Sequence, residues 1–505
     1  MSLSRPTMSA IRFGYGIRPG ETVPDGPEAL LGQIEAGLAA APLFPTEGIE
    51  GRWQAIRDYY VKMAGLPTDR TERRQAARPI RRQAFDANGR DRHARVAQSA
   101  FSPHGFYERL ADFWTDHFSV SVRKQRSMYL YTSLYEAEVL RRRLAGPFAN
   151  LLREAITHPA MLIYLDQVKS TGPNSKRGRK GGHGLNENLG RELLELHTLG
   201  VGGGYRQEDV RAVALALTGL GIDRDSGRTT FRRNAAEPGP IEIPVLGKSL
   251  GAKRRSIEDV HAMLADLAAM PATARHICRK LAIHFIADEP PVPLVKTMVE
   301  AWTASGGNLT DVYAAMLAHP AAWEDPGRKA RRPYDYVVTG LRAAGLPESD
   351  FAQPVRKVLA KAEQDEMMAI TPDMAARRKK RAEKTMTSED RTEMRQERRE
   401  KLRPPLNPLT VGAIKKLGQP IWEPTSPEGT EEEFAAWISS SQLTGRIEWA
   451  QAIAARMGSR TEPRELARTV LRDAARDDTL KVVSQAPSRQ AGLSLLLASP
   501  EFNRR

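Results

Sequence analysis

Only one of the 505 residues is cysteine. Cys278 has no internal disulfide partner, so a disulfide framework and a cysteine-rich zinc site are both excluded. It stands in PATARHICRKLAIHF, where Ile277, Leu281 and Phe285 share its helical spacing. It therefore reads as a small core hydrophobe rather than a reactive thiol. Long apolar runs are missing too. No window approaches the ~18 uninterrupted apolar residues of a spanning helix, which excludes a membrane bundle. The N-terminus, MSLSRPTMSAIRFGYG, holds no apolar stretch of the ~7–15 residues of a secretory signal. A cytoplasmic location is the default expectation, with export alongside a signal-bearing partner as the alternative. Aromatics make up 6% of the chain and vanish over 352–421. Without them that stretch can bury little, so it reads as a solvated helix pair, a stalk or a disordered insertion. Catalytic signatures are equally scarce: there is no HExxH, no GxSxG, no Walker P-loop and no GxGxxG between a strand and a helix.

What is present is an ordinary soluble composition, 41% hydrophobic and 27% charged, with a basic bias. Lys and Arg number 76 against 61 Asp and Glu, a formal +15. That balance suits an anionic partner such as nucleic acid, anionic lipid or an acidic protein. A merely solubilising surface is the simpler alternative, because the excess is spread over several segments. Residues 67–95 hold nine arginines, and 373–403 carry twelve basic against seven acidic side chains. Arg391, Arg395, Arg398 and Arg399 line one helical stripe that suits phosphates, or a solvated face.

Apolar residues at three-to-four spacing recur through most of the chain, which predicts an all-α fold. Strand signals are limited to 228–233 and 241–246, enough for at most one small β-hairpin near 228–246. Composition shifts suggest five regions. These are an N-terminal helical region with an Arg-rich loop (1–100), a central helical core (101–225), a helical region with the small β element (226–350), a charged aromatic-free insertion (351–405) and a C-terminal helical region (406–505). A recurrence also stands out: LLREAITHPAM, YAAMLAHPAAW and LSLLLASPEF each stop a helix at a polar residue before proline. His158 and His319 sit at two of these stops, where a partly charged imidazole suits the helix C-terminus, so both read as structural.

The densest polar constellation is NENLGRELLELHTLGVGGGYRQEDV, 186 onwards. At 100° per residue, Glu187, Asn188, Arg191, Glu192, Glu195 and Thr198 share one arc and the leucines another. Asn186 and His197 border the leucine side. Glu192 and Glu195, three residues apart, can bring their carboxylates to one point, and Arg191 reaches Glu195. Paired carboxylates plus an imidazole suit a divalent metal, or general acid and base work without one. A salt-bridged outer face explains the same residues without function. Asp209 opens the following helix, where an acidic residue suits the dipole. The second constellation is FYERLADFWTDHFSVSVRKQ, in which Phe113, Trp114 and Phe118 surround Asp116 and His117. A core histidine is the simple reading of His117. The functional one is that His117 supplies the imidazole missing around Glu192 and Glu195, giving a metal set of Glu192, Glu195 and His117. The candidate catalytic residues are therefore His117, Glu192, Glu195 and His197. Asn186, Asn188, Arg191 and Asp209 are the binding candidates.

FWTDHF followed by NENLGRELLELHTLGVGGGYRQEDVRAVALALTG resembles the signature of a bacterial family, domain-of-unknown-function family 1800. The likeness continues through PATARHICRKLAIHFIADEPP, RRPYDYVVTGLRAAGL, LGQPIWEPTSPEG and LLLASPEFNRR, nearly the whole chain. This chain departs from the family pattern at Leu215, Leu220 and Ala236, where Arg, Trp and His are usual. The resemblance implies no reaction. It implies association with exported proteins of another uncharacterised family, domain-of-unknown-function family 1501. Three functions follow as expectations: a helical partner or maturation protein for an exported enzyme, a metal-dependent hydrolase-like enzyme, and a nucleic-acid binder using 67–95 and 373–403.

Overall fold

The computed structural model describes residues 3–182, 184–251, 254–324, 327–348, 409–458 and 461–505. The charged stretch 351–405, with Arg391, Arg395, Arg398 and Arg399, lies outside the described residues. The fold is all-α, and the helices that matter to the site are numbered here in chain order. They are α1 (Gly48–Ala64), α2 (Arg70–Phe101), α3 (Gly105–His117) and α4 (Met128–Tyr135). After them come α5 (Asn188–Glu192), α6 (Gln207–Leu217), α7 (Pro271–Phe285), α8 (Pro333–Ala344) and α9 (Ser440–Met457). No helix among the described residues is long and apolar enough to cross a membrane.

Both expected strand segments form, but they do not pair with each other. β1 (Leu220–Ile222) pairs antiparallel with β2 (Thr229–Phe231), and β3 (Ile241–Ile243) with β4 (Lys248–Leu250). Local turn chemistry decides this. The Asp223 carboxylate accepts from the backbone N–H groups of Asp225 and Ser226, closing a tight turn directly before β2.

The helix–proline recurrence also has a physical basis in the structure. His158 and His319 each accept a backbone N–H through Nδ1, from Ala160 at 3.1 Å and Ala321 at 3.2 Å. Ser499 does the same for Phe502. These residues cap the short helix that follows, with proline at its first position. Both imidazoles therefore serve as acceptors at the start of the following helix rather than as groups at the end of the preceding one.

Two apolar cores organise the chain. One draws on residues from Phe13 to Ala322. The other joins Tyr15, Phe44, Val96, Val122 and Ala137 to residues of 334–502. Helix α3 lies along the seam, and almost every side chain on it is buried, including Glu108, Arg109 and Asp112. A helix buried all round must satisfy its charges internally. Glu108 takes Arg141 at 2.6 Å and Gln98 at 2.9 Å, and Arg109 takes Asp335 at 2.8 Å. Cys278 is buried in α7, and burial pushes its thiol up to about 12.

Candidate functional site

The NENLGRELLELH segment forms α5 and then one wide π-helical turn, Leu193–His197. That turn inserts an extra residue and shifts everything after Glu192 around the axis. Thr198 and His197 consequently turn into the core, whereas a uniform 100° step places Thr198 beside the glutamates. Gly190 lets α5 lie close against α6, since a Cβ there would stand 3.0 Å from Val210 O and from Ala214 N. The polar arc itself is a half-exposed network. Arg191 lies 3.4 Å from Glu195 and 3.8 Å from Glu187 and donates to Gln207 at 2.8 Å. Gln207 donates in turn to Glu187 at 2.8 Å. Asn186 caps its own turn through Asn188 N, and Asn188 is exposed. Asp209 is buried and binds two backbone N–H groups, those of Arg206 and Val245, at 2.8 and 2.6 Å. Burial and then Glu195 push Glu192 above the usual carboxylate range.

His117 and His197 do come together, with ring centroids 5.6 Å apart, and His276 lies 6.4 Å from His117. None of the four ring nitrogens of His117 and His197 makes a well-formed hydrogen bond. Burial, followed by Lys280, holds His197 down at about 3, and His276 is held at about 4 by burial. Among the described residues, no group of three or more His, Cys, Asp or Glu side chains is placed to hold a metal ion. The set of Glu192, Glu195 and His117 is thus not assembled as one ligand sphere.

The largest chemical opportunity lies on the other side of His117. The end of α3 and the end of α4 face a loop, 418–431, across a cleft of about 190 Å³. Arg95, Asp112, Asp116, Tyr135, Glu136 and Trp422 are on its wall. Asp116 accepts from Thr430 N at 3.0 Å and lies 3.3 Å from Arg332. Burial, ahead of the opposing Arg332 and the neighbouring Glu432 and Asp112, pushes its carboxyl up to about 6. Asp112 is held between Arg332, in a very short contact, and Arg95 at 3.0 Å. Glu136 opens a second π-helical turn, Glu136–Leu140, and binds Arg95 at 2.7 Å and the Trp422 indole N–H at 2.7 Å. The Tyr135 hydroxyl is buried without a hydrogen-bond partner.

Behind the cleft the charges continue as a buried lattice. Glu432 meets Arg332 at 3.0 Å, His284 at 2.6 Å and Lys329 at 3.6 Å. These partners outweigh burial and hold its carboxyl well below the usual range. Asp335 ties Arg109 to Arg505 and is likewise held low. Lys280 stands near Asp116, Glu432 and Glu428, yet burial lowers its ammonium. The site therefore contains a carboxyl whose proton affinity is raised and, behind it, a lysine whose proton affinity is lowered, both by burial. Such opposed pairs suit proton transfer.

The family described as Protein of unknown function (DUF1800) matches residues 9–504. The chain belongs to the DUF1800 family. No curated protein and no solved structure matches it. The DUF1800 resemblance in the sequence thus extends over almost the full chain. The segments 331–346 and 417–429 supply Arg332, which reaches Asp116 of FWTDHF, and Gln419 and Trp422, which stand on the cleft wall, while Asp335 lies behind it on Arg109. Their role there escaped sequence reasoning. The one available signal was that the FWTDHF, RRPYDY and PIWEPTSPEGT blocks of this DUF1800 chain each mix aromatics with charges, as a buried ionic site requires.

Proposed function

We propose that the chain is a hydrolase-like enzyme that works by acid–base chemistry on a small polar substrate held in the 418–431 cleft. The observation that carries this reading is Asp116, a carboxyl on the wall of a 190 Å³ cleft with its proton affinity near pH 6. A group poised there can both give and take a proton near neutrality. In its charged form it takes a proton from a water entering the cleft. In its neutral form it returns that proton to the leaving group. Arg95, on the same wall, supplies a cation for a developing negative charge, and Tyr135 supplies a hydroxyl without another partner. His117 and His197, whose rings meet at the end of α3, are positioning groups in this reading, and Glu192 and Glu195 belong to the half-exposed Arg191 network. The expected metal set is not carried forward.

The test is a panel of chromogenic esters, amides, phosphate esters and glycosides at pH 5, 6 and 7.5. Turnover that Asp116→Asn removes while the thermal midpoint is kept supports the reading. Turnover indifferent to that substitution, or none on any of the four classes, overturns it.

A second reading is a partner protein for an exported enzyme of family 1501. It is favoured by Val201, 84% exposed at the tip of the Gly-rich turn beside the Arg191 network. Co-expression with a family 1501 protein and recovery of both chains, lost on Val201→Asp, tests it. Recovery of this chain alone removes that reading.

A further inference from the structure

The stretch expected as an Arg-rich loop is helical instead, and forms most of α2. Arg70, Arg73, Arg74, Arg78, Arg81 and Arg82 are all exposed, whereas Asp91, Arg92 and Arg95, farther along the same helix, are buried. At 100° per residue Arg70, Arg74, Arg78 and Arg81 fall within one arc of about 80°, a stripe about 17 Å long. Among the described residues none of these four has a carboxylate partner. The neighbouring acids are committed or sparse: Asp69 is spent on the helix cap, Asp86 on Arg82 at 2.9 Å, and Glu72 stands alone. Six like-charged residues in thirteen positions repel one another by a few tenths of a kcal/mol per facing pair. Helix formation alone does not require that arrangement.

A second segment completes the face. The exposed Arg126 of the loop before α4 lies over the Tyr129 ring, 5.9 Å from its centroid, and donates to its hydroxyl at 3.0 Å. Tyr129 packs edge-on against Phe85 of α2 at 5.3 Å. The Phe85–Tyr129 contact brings the two segments together, with Arg81 four residues before Phe85 and Arg126 three before Tyr129. Phe85 and Tyr129 are half-buried, so part of each ring remains accessible. Unpaired guanidiniums next to partly exposed rings match a phosphate backbone together with its bases. An anionic bilayer is the poorer match, because the rings are half-buried against one another rather than fully exposed.

We infer that the face built by Arg74, Arg78, Arg81 and Arg126 around Phe85 and Tyr129 is a docking surface for single-stranded nucleic acid. It is separate from the cleft at Asp116, so occupation of one does not require the other.

The experiment is fluorescence anisotropy of the full chain with a labelled dT20 oligonucleotide, alongside sedimentation with phosphatidylserine–phosphatidylcholine vesicles. For about four phosphates at a slope of about −0.7 each, affinity for dT20 falls about fifty-fold between 50 and 200 mM salt. Arg74→Ala/Arg78→Ala/Arg81→Ala, all at exposed positions, is expected to lower affinity at least tenfold and flatten the salt slope. Tyr129→Leu is expected to weaken binding with the salt slope unchanged, which separates stacking from charge. Binding unaltered in the triple variant, no binding at 50 mM salt, or vesicle binding without dT20 binding each overturns the inference.

Discussion

Across 148 residues of sequence, the Glu432 carboxylate meets the His284 imidazole, Oε1 to Nδ1, at 2.6 Å. The same carboxylate faces Arg332, Lys329 and Arg505, so one acidic side chain compensates three cations at the junction of the two cores. Removing it leaves three buried cations with only Asp112, Asp116, Asp288 and Asp335 to compensate them, which costs more than the pair itself is worth. Glu432→Ala is expected to lose about 3–5 kcal/mol of stability by urea denaturation. Glu432→Gln keeps the shape and is expected to lose less. A loss under about 1 kcal/mol in Glu432→Ala means that the remaining acids, Asp112, Asp288 and Asp335, already balance the lattice.

Asp116 has the opposite electrostatic sign. Its folded-state affinity, about 6, is above the ordinary aspartate value of 3.8, with burial as the main cause. A raised carboxyl stabilises the fold fully below its unfolded value, and that contribution disappears as pH rises through about 6. Asparagine stays neutral throughout. The stability of Asp116→Asn relative to the parent is therefore expected to climb between pH 4 and pH 7 by about 1–3 kcal/mol and then level off. Thermal midpoints at half-unit pH steps read this directly. A flat difference across that range returns Asp116 to ordinary affinity and removes the basis for acid–base work in the cleft.

How much of this was legible beforehand depends on the distance between partners. The helical class follows from local periodicity, and aromatic crowding in FWTDHF marks α3 as central. Asp116 was visible there only as a polar residue among rings. Its partners Arg332 and Thr430 are 216 and 314 residues away, and no spacing rule reports such pairs. The NEN arc was legible in composition but not in orientation. A π-helical turn at Leu193–His197 breaks the 100° step, and nothing in LLELH announces it. The β ribbons show the same limit from the other side. Both strands were readable, but the choice of partner was made by Asp223 closing a four-residue turn.

His197 provides a check on the core behind the cleft. Burial, then Lys280, holds its ring at about 3, below the ordinary 6.5. A depressed imidazole supports the fold above its unfolded value and withdraws that support as pH falls from about 6.5 toward about 3. At pH 5 the difference amounts to about 2 kcal/mol. His197→Phe keeps the ring and is expected to gain stability relative to the parent by that amount between pH 7 and pH 5. Nitrogen NMR of labelled histidine is expected to show the parent ring still neutral at pH 5. A protonated His197 at that pH means that water reaches the His117–His197 contact.

Trp422 anchors the cleft loop by one bond that is separable from its packing. Its indole N–H donates to Glu136 at 2.7 Å, while its ring packs edge-on against Phe44 at 5.8 Å. Phenylalanine retains most of the ring contact and deletes the donor. Glu136 keeps Arg95, so the loss is that of one bond to a charged acceptor, about 1.5–3 kcal/mol, and not that of a stranded carboxylate. Trp437→Phe is the matched control, because its N–H donates to the neutral carbonyl of Glu431 at 2.8 Å in the same part of the chain. Urea midpoints are expected to fall further for Trp422→Phe than for Trp437→Phe. Equal losses place water at the Glu136 carboxylate, since a solvated acceptor replaces its donor at little cost. In that case the cleft reaches deeper than its present wall, and Glu136 joins Asp116 as a group open to substrate.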